Sequence, residues 1–244
     1  MGIAALVLAA GLAMPALALE SGTEPLFPQA RALSFLELDR AEALARYGHP
    51  NEMWRYRALR ALKLEQPERA AEYFQRAGLY ADKFSQHALS LLHWHGIGVD
   101  QDRARAYVWA DLAAERGYRD LLLLRERMWL EMDAAQRAQA LQLGEAMYRE
   151  YGDAAAKPRM EWALRRALAS ATGSRVGATT DRIEILEYGA TAGVNLSARD
   201  FYATERWRAD RYWRGQDRQW KAKVIVLPPE PVPDAPAAEG GRGD

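Results

Sequence analysis

Along the middle of the chain, apolar residues recur at the i, i+3, i+4, i+7 spacing of helices that bury one face. Leu33, Leu36, Leu44 and Tyr47 keep this spacing between about residues 30 and 47. Gly48-His49-Pro50 stops that helix and starts another, because glycine ends helices and proline fits a first turn. Trp54, Ala58, Ala61 and Leu62 mark the second apolar face, which runs to about Leu64. Pro67 opens a third helix, to about Ala77. A fourth ends at Gly96, with Ala88, Leu91, Leu92 and His95 in register. A fifth spans about Asp102 to Arg116 on Ala106, Trp109, Ala110 and Ala113. Asp100 or Asp102 caps it and Gly117 stops it. Leu121, Leu124 and Met128 share a face of the sixth. Asp133-Ala134-Ala135-Gln136 has the form of a capping box and opens a seventh, to about Tyr151, with Gly152 as its stop.

The helices themselves recur. Ala70-x-x-Tyr73-x-x-x-Ala77 returns thirty-six residues later as Ala106-x-x-Trp109-x-x-x-Ala113, and Ala140 follows Ala106 by thirty-four. Helix pairs at such a period stack into a solenoid, since no pair buries its apolar face alone. The alanines allow close approach of paired helices, and Tyr73 and Trp109 fill the space between units. The expected fold class is all-α.

One unit is similar to the Sel-one-like repeat, a relative of the tetratricopeptide repeat. The residues that carry the resemblance are Ala88, Leu91-Leu92, Trp94, Gly96-Ile97-Gly98-Val99, Asp102, Ala106, Trp109, Ala113-Ala114 and Gly117. The unit before lacks Gly-x-Gly and has Pro67 in a shorter turn. The unit after keeps the helix lengths, an EMDAAQ turn and small residues. The resemblance covers roughly Asn51 to Tyr151. It implies an α-α superhelix of antiparallel pairs that binds protein and shares no catalytic residues. Within it, Ala88, Gly96, Gly98, Ala106, Ala113 and Gly117 are expected to be structural. Trp54, Tyr73, Trp94 and Trp109 are expected to shape a protein-binding groove.

The ends differ in composition. Residues 1–18 read as a signal peptide: an apolar run, Pro15, then the small-residue pattern Ala16-Leu17-Ala18. No Lys or Arg precedes the run, and an uncleaved N-terminal membrane anchor is the alternative. Either places the remainder outside the cytoplasm, periplasmic or secreted. The sequence contains no cysteine, which excludes disulfides and thiolate metal sites and suits a bacterial periplasm. The solenoid is expected over 30–152 and an extension or helical cap over 153–226. That extension holds a helix from about Pro158 to Ala171, a turn-rich stretch with apolar Ile183 to Leu186, and a helix opened by Ser197. Residues 227–244 are a Pro- and Ala-rich tail expected to be disordered.

Charge and motifs narrow the chemistry. Lys plus Arg equal Asp plus Glu at 33 each, so no net field draws the chain to nucleic acid. His93 and His95 are two apart and point to opposite sides of a helix, and Leu89 and Leu91 occupy the positions that a metal pair needs. Gly96-Ile97-Gly98 follows a helix rather than a strand and lacks a third glycine, so its role is backbone reversal and not cofactor binding. No hydrolase, zinc-protease or phosphate-loop motif occurs, and no catalytic residue, metal or cofactor is expected. Arg242-Gly243-Asp244 is a three-residue match of the kind that arises by chance.

One surface feature remains. Arg206, Trp207, Arg208, Arg211, Trp213, Arg214 and Trp220 interleave cations with indoles, as in segments that bind anionic lipid or glycan. Against this stands a docking role. Trp213 and Trp220 are one heptad apart and can share a face, with the Arg stems paired to Glu205, Asp210 and Asp217. The expected function is an exported scaffold that binds a protein or peptide; the alternative is attachment to a membrane or cell-wall surface through this segment.

Overall fold

The computed structural model describes residues 27, 32–170, 182–185, 194–197 and 201–221. The signal peptide expected over 1–18 and the disordered tail expected over 227–244 lie outside these residues. Eight long helices come first: α1 (Phe35–Ala45), α2 (Pro50–Lys63), α3 (Pro67–Gly78), α4 (Lys83–His95), α5 (Arg103–Ala114), α6 (Arg119–Glu131), α7 (Ala134–Tyr151) and α8 (Asp153–Ser170). Strands β1 (Arg182–Ile185) and β2 (Val194–Ser197) then pair antiparallel, with Ile183 opposite Leu196. Helices α9 (Thr204–Trp207) and α10 (Ala209–Lys221) close the described chain. The hairpin adds a small β element that helical periodicity does not predict.

Local chemistry sets the helix ends. Asp133 accepts from the Gln136 N–H at 2.8 Å, and Gln136 returns a bond to the Asp133 N–H at 3.0 Å. Asp102 accepts from the Arg105 N–H at 2.8 Å and caps α5. Ser34 caps α1 in a second capping box, with Glu37. That start turns Leu38 inward, at 1% exposed, and leaves Leu36 at 60% and Tyr47 at 47%. The apolar face expected for α1 is therefore rotated.

Helix α2 packs on α3 and α4 on α5 as antiparallel pairs, in the manner of TPR-like repeats. Helix α3 packs on α4 and joins the pairs, while α5 meets both α6 and α7. The repeat alanines are the contact points: Ala70, Ala77, Ala88, Ala106 and Ala113 are all 0% exposed. Phe74, Leu92 and Leu112, also at 0%, fill the space between them. Each such buried side chain stabilises the fold by about 1.5–3 kcal/mol.

The turn between α4 and α5 reverses on Gly96 and Gly98, at φ +69° and +66°. At Gly98 sterics exclude any side chain. A Cβ there would lie 2.4 Å from the Pro67 carbonyl carbon and 2.6 Å from the Glu68 nitrogen, at the start of α3. One repeat's turn thus rests on its neighbour's backbone. Gly117, at φ +73°, has no neighbour within 4 Å of a built Cβ.

Helix α8 does not stack on the end of the solenoid. It runs back across the turns that join successive helix pairs. Near its start, Asp153 meets Lys83 at 3.0 Å and Arg116 at 2.7 Å. Farther along, Arg159 donates to the Leu79 carbonyl. Near its end, Ala167 lies against Gly48, where a built Cβ would be 2.8 Å away. Lys83 has no side-chain exposure, and also donates to the Leu112 carbonyl at 2.7 Å and to Glu115 at 2.9 Å. Glu115 in turn accepts the Asp153 N–H at 2.9 Å. These contacts carry the helix start back to Asp153, ahead of the expected Pro158, which sits inside α8.

Burial alone would raise the Asp153 carboxyl, but Arg116, Lys83 and Lys157 hold it well below the usual carboxylate range. Burial pushes the Lys83 ammonium down, partly offset by Asp153 and Glu115. The Asp153 carboxylate remains charged at neutral pH.

Two predictions follow from this packing. Gly98→Ala combines left-handed strain with a backbone clash, and should lower stability by about 2–3 kcal/mol. Gly117→Ala adds strain alone, about 1 kcal/mol. Equal shifts in urea midpoint would contradict the inter-repeat contact. For Asp153, the folded pKa is depressed below 3.8, so its stabilisation is present above that value and lost as pH falls through it. Asp153→Asn should cost about 3 kcal/mol at pH 7 and flatten the acid limb of an unfolding profile below pH ~4.

Candidate protein-binding surface

The first turns of α2 and α4 carry an unusual load of buried polar groups. His49 and Asn51 are at most 1% exposed, Glu52 is at 7%, and Asp82 and Lys83 are both at 2%. Solvation cannot satisfy them, so partners have to. Asp82 caps α4 through the Ser85 N–H at 2.8 Å and takes Arg55 at 2.7 Å. Lys83 is held by Leu112, Glu115 and Asp153, while His49, Glu52 and the Asn51 amide N–H draw partners from α9 and α10.

Along α10, Tyr212, Trp213, Gln216, Asp217 and Trp220 fall on one face by helical spacing. The Tyr212 hydroxyl accepts from Asn51 Nδ2 at 2.7 Å and donates to Glu52 Oε1 at 3.0 Å. Gln216 donates to the same oxygen at 3.2 Å. Arg206, from α9, reaches Glu52 Oε2 at 3.3 Å. Burial alone would raise the Glu52 carboxyl; Arg206, His49, Arg55 and the Tyr212 hydroxyl hold it below its ordinary value. The Tyr212 ring packs with Met160 and Leu164 of α8, and is 4% exposed.

At the far end of α10, Trp220 stacks on Tyr118, with centroids 5.4 Å apart and planes 12° from parallel. The Tyr118 hydroxyl donates to Asp217. Arg116 lies 4.8 Å over the Trp213 ring, whose Nε1 donates to Glu161 at 3.0 Å. Helix α10 therefore spans the surface from α2 to the start of α6.

His49 joins the two ends of the chain. Its Nε2 lies 2.8 Å from the Arg206 carbonyl and its Nδ1 3.1 Å from that of Tyr47. A neutral ring has a single N–H and serves one carbonyl; protonation on Nε2 serves the shorter, long-range contact. The ring edge also meets Trp207 at 5.2 Å and Tyr212 at 5.4 Å. Burial pushes the imidazole below 6.5 despite the pull of Glu52, with Arg206 adding to the fall.

The expected groove aromatics do not line one groove. Trp94 is 8% exposed and Trp109 2%, so both belong to the core. Trp94 lies under Arg103 at 4.8 Å. Trp109 packs edge-on against Tyr151 at 4.6 Å, across to α7. Trp54 and Tyr73 are half-buried and stack on each other at 5.6 Å, bridging α2 and α3. Arg57 and Arg76 lie 4.8 Å from the Trp54 ring. Apolar spacing identifies aromatics that face inward, and it does not separate a core from a groove.

The Arg/Trp segment also departs from a surface patch. Trp207, Trp213 and Trp220 turn toward the solenoid, as does Arg206, whose side chain is 18% exposed. Arg208, Arg211 and Arg214 face solvent and pair with Asp210, Glu205 and Asp210. Asp217, expected to pair with a neighbouring arginine, serves Tyr118 and Arg116. Sequence reasoning did not single out His49, Asn51, Glu52 or Tyr118. The one signal for the first three is a cluster of polar residues beside Pro50, where a first turn is set.

Among the described residues, no group of three or more His, Cys, Asp or Glu suits a metal ion, and no helix is long and apolar enough to cross a membrane. His93 is half-buried and His95 exposed.

No protein-family model matches the chain, and no curated protein matches it. Among solved structures, it is similar to a protective antigen of uropathogenic Escherichia coli strains displaying an SLR fold. The identity is 19% and the TM-score 0.37, over 58% of this chain and 28% of that one. The chain thus spans a little over a quarter of that protein.

The His49 geometry makes docking pH-dependent. The groups facing the ring are Glu52 of α2, Arg206 of α9 and Tyr212 of α10. Because the docked pKa lies below 6.5, docking is at full strength above that value and weakens as pH falls through the lowered one. Hydrogen exchange of amides 209–221, corrected for intrinsic rates, should accelerate between pH 7.5 and 5. His49→Gln keeps a donor toward the Arg206 carbonyl without a titrating group, and should remove most of that change.

Proposed function

We propose that the chain is a helical-repeat scaffold, exported to the periplasm, that binds a protein segment and catalyses no reaction. The supporting observation is that the first turn of α2 and the start of α6 already hold a helix, α10. It is held through a buried carboxylate at one end and an aromatic face at the other. Laying one face of a helix on a shaped surface is a common mode of peptide recognition. The apolar N-terminus, with Ala16-Leu17-Ala18, supports export.

A photo-crosslinking amino acid at Tyr47 or Arg119 flanks this surface at its two ends, and both positions are exposed. Leu141, 70% exposed on α7, serves as the control. In cells, the chain should fractionate with the periplasm and yield one shared crosslinked protein from positions 47 and 119 but not 141. Cytoplasmic retention, or no partner common to the two positions, would count against the reading.

A further inference from the structure

We propose that the strip formed by the first turn of α2 and the start of α6 is an interaction surface for a partner segment. That segment presents a phenol and an indole on one face of a helix and a guanidinium from a short turn ahead of it, and α9–α10 occupy the strip as a tethered stand-in. The inference rests on the scaffold reading and names the chemistry of its ligand.

The strip defines that ligand through what it lacks by itself. Glu52 is buried, and its hydrogen bonds come from Arg206, Tyr212 and Gln216, all in the C-terminal segment. Arg55, the cation on its own helix, is committed to Asp82. A bare strip therefore holds a carboxylate that needs a cation and hydroxyl or amide donors. One end of the strip offers the flat face of Tyr118, matched to an indole. Beside it, the Tyr118 hydroxyl and Arg116 are matched to a carboxylate on the incoming helix. Helix α10, which carries Tyr212 and Trp220, specifies a helix of about three to four turns, with the guanidinium supplied ahead of it across Arg208.

The stand-in is built to be exchanged. Among its described side chains the one fully buried is Tyr212; Trp207, Trp213 and Trp220 are half-buried, and Arg208, Arg211, Arg214 and Arg218 face solvent. Arg208 is extended and separates α9 from α10. The fit is also incomplete: Asn51 Oδ1, on the strip, is buried without a hydrogen-bond partner. A ligand that reaches this atom gains over α9–α10. Tethering works the other way. It gives the stand-in an effective concentration near the millimolar range, so an untethered copy of equal affinity competes only at comparable concentration.

The full chain, which has no native cysteine, accepts spin labels at Arg119→Cys and Arg218→Cys, both exposed and at opposite sides of the docking contact. The probe is a synthetic peptide of residues 201–221. Without peptide, the labels should show one short separation. Peptide in the high micromolar to millimolar range should lengthen it. Adding Tyr212→Phe and Trp220→Ala to the chain should lower the peptide needed for half-exchange by about tenfold or more, since two docking contacts are weakened. A peptide with Arg206, Tyr212 and Trp220 replaced by Ala should not compete.

An unchanged separation at saturating peptide, in the parent chain and in the variant, would overturn the proposal. So would equal competition by the Ala-substituted peptide, or a shift to dimer without peptide, which assigns the strip to a second copy. If the double variant loses helical circular dichroism, Trp220→Ala alone, at the rim, gives the same test. In-cell crosslinks without peptide exchange would reject this inference only; exchange without crosslinks would reject the scaffold reading only.

Discussion

Asp153 meets two cations of the solenoid, Lys83 at the start of α4 and Arg116 in the turn after α5. Lys83 is fully buried, and stripping it of water is tolerable only because the carboxylate and the surrounding carbonyl and Glu115 oxygens replace that water. This one contact fixes where α8 begins and which way it runs. With its start held between two turns, α8 passes back along the solenoid to Gly48, and its Met160 and Leu164 become the floor on which Tyr212 packs. The path of the whole C-terminal region depends on it.

The docking of α9–α10 is chemically unlike the packing of the repeats. Between pairs, alanines and aliphatic side chains at near-zero exposure close the gap. Between the repeats and α10, the contacts are charged or aromatic groups joined by hydrogen bonds. Such a contact is specific, because an unmatched Glu52 or His49 is costly when buried. Its hydrogen bonds join groups from both sides of the contact, where the repeats interlock through apolar side chains.

Much of the solenoid was legible along the chain. Asp133 and Gln136 form the capping box that their spacing implies, and Gly96 and Gly98 adopt the left-handed turn expected of them. The period linking Ala70 to Ala106 marks helices that occupy equivalent places. These features are local, so short-range spacing carries them. The binding surface was less legible. Trp94 and Trp109 share the helical register of groove residues but face the interior, a distinction that depends on neighbouring helices thirty or more residues away. Glu52 and Tyr212 are 160 residues apart, and nothing near either one signals the other.

The sequence by itself determined the helices of the solenoid, most of their ends and their pairing into repeats, because capping, glycine conformations and apolar periodicity act within a few residues. Only the tertiary structure decided that the C-terminal helices lie across the inter-pair turns, and that the Arg/Trp segment turns its rings inward. Those outcomes rest on the neutralisation of buried charges by partners far along the chain. Burial is a property of the assembled fold, which no local spacing encodes.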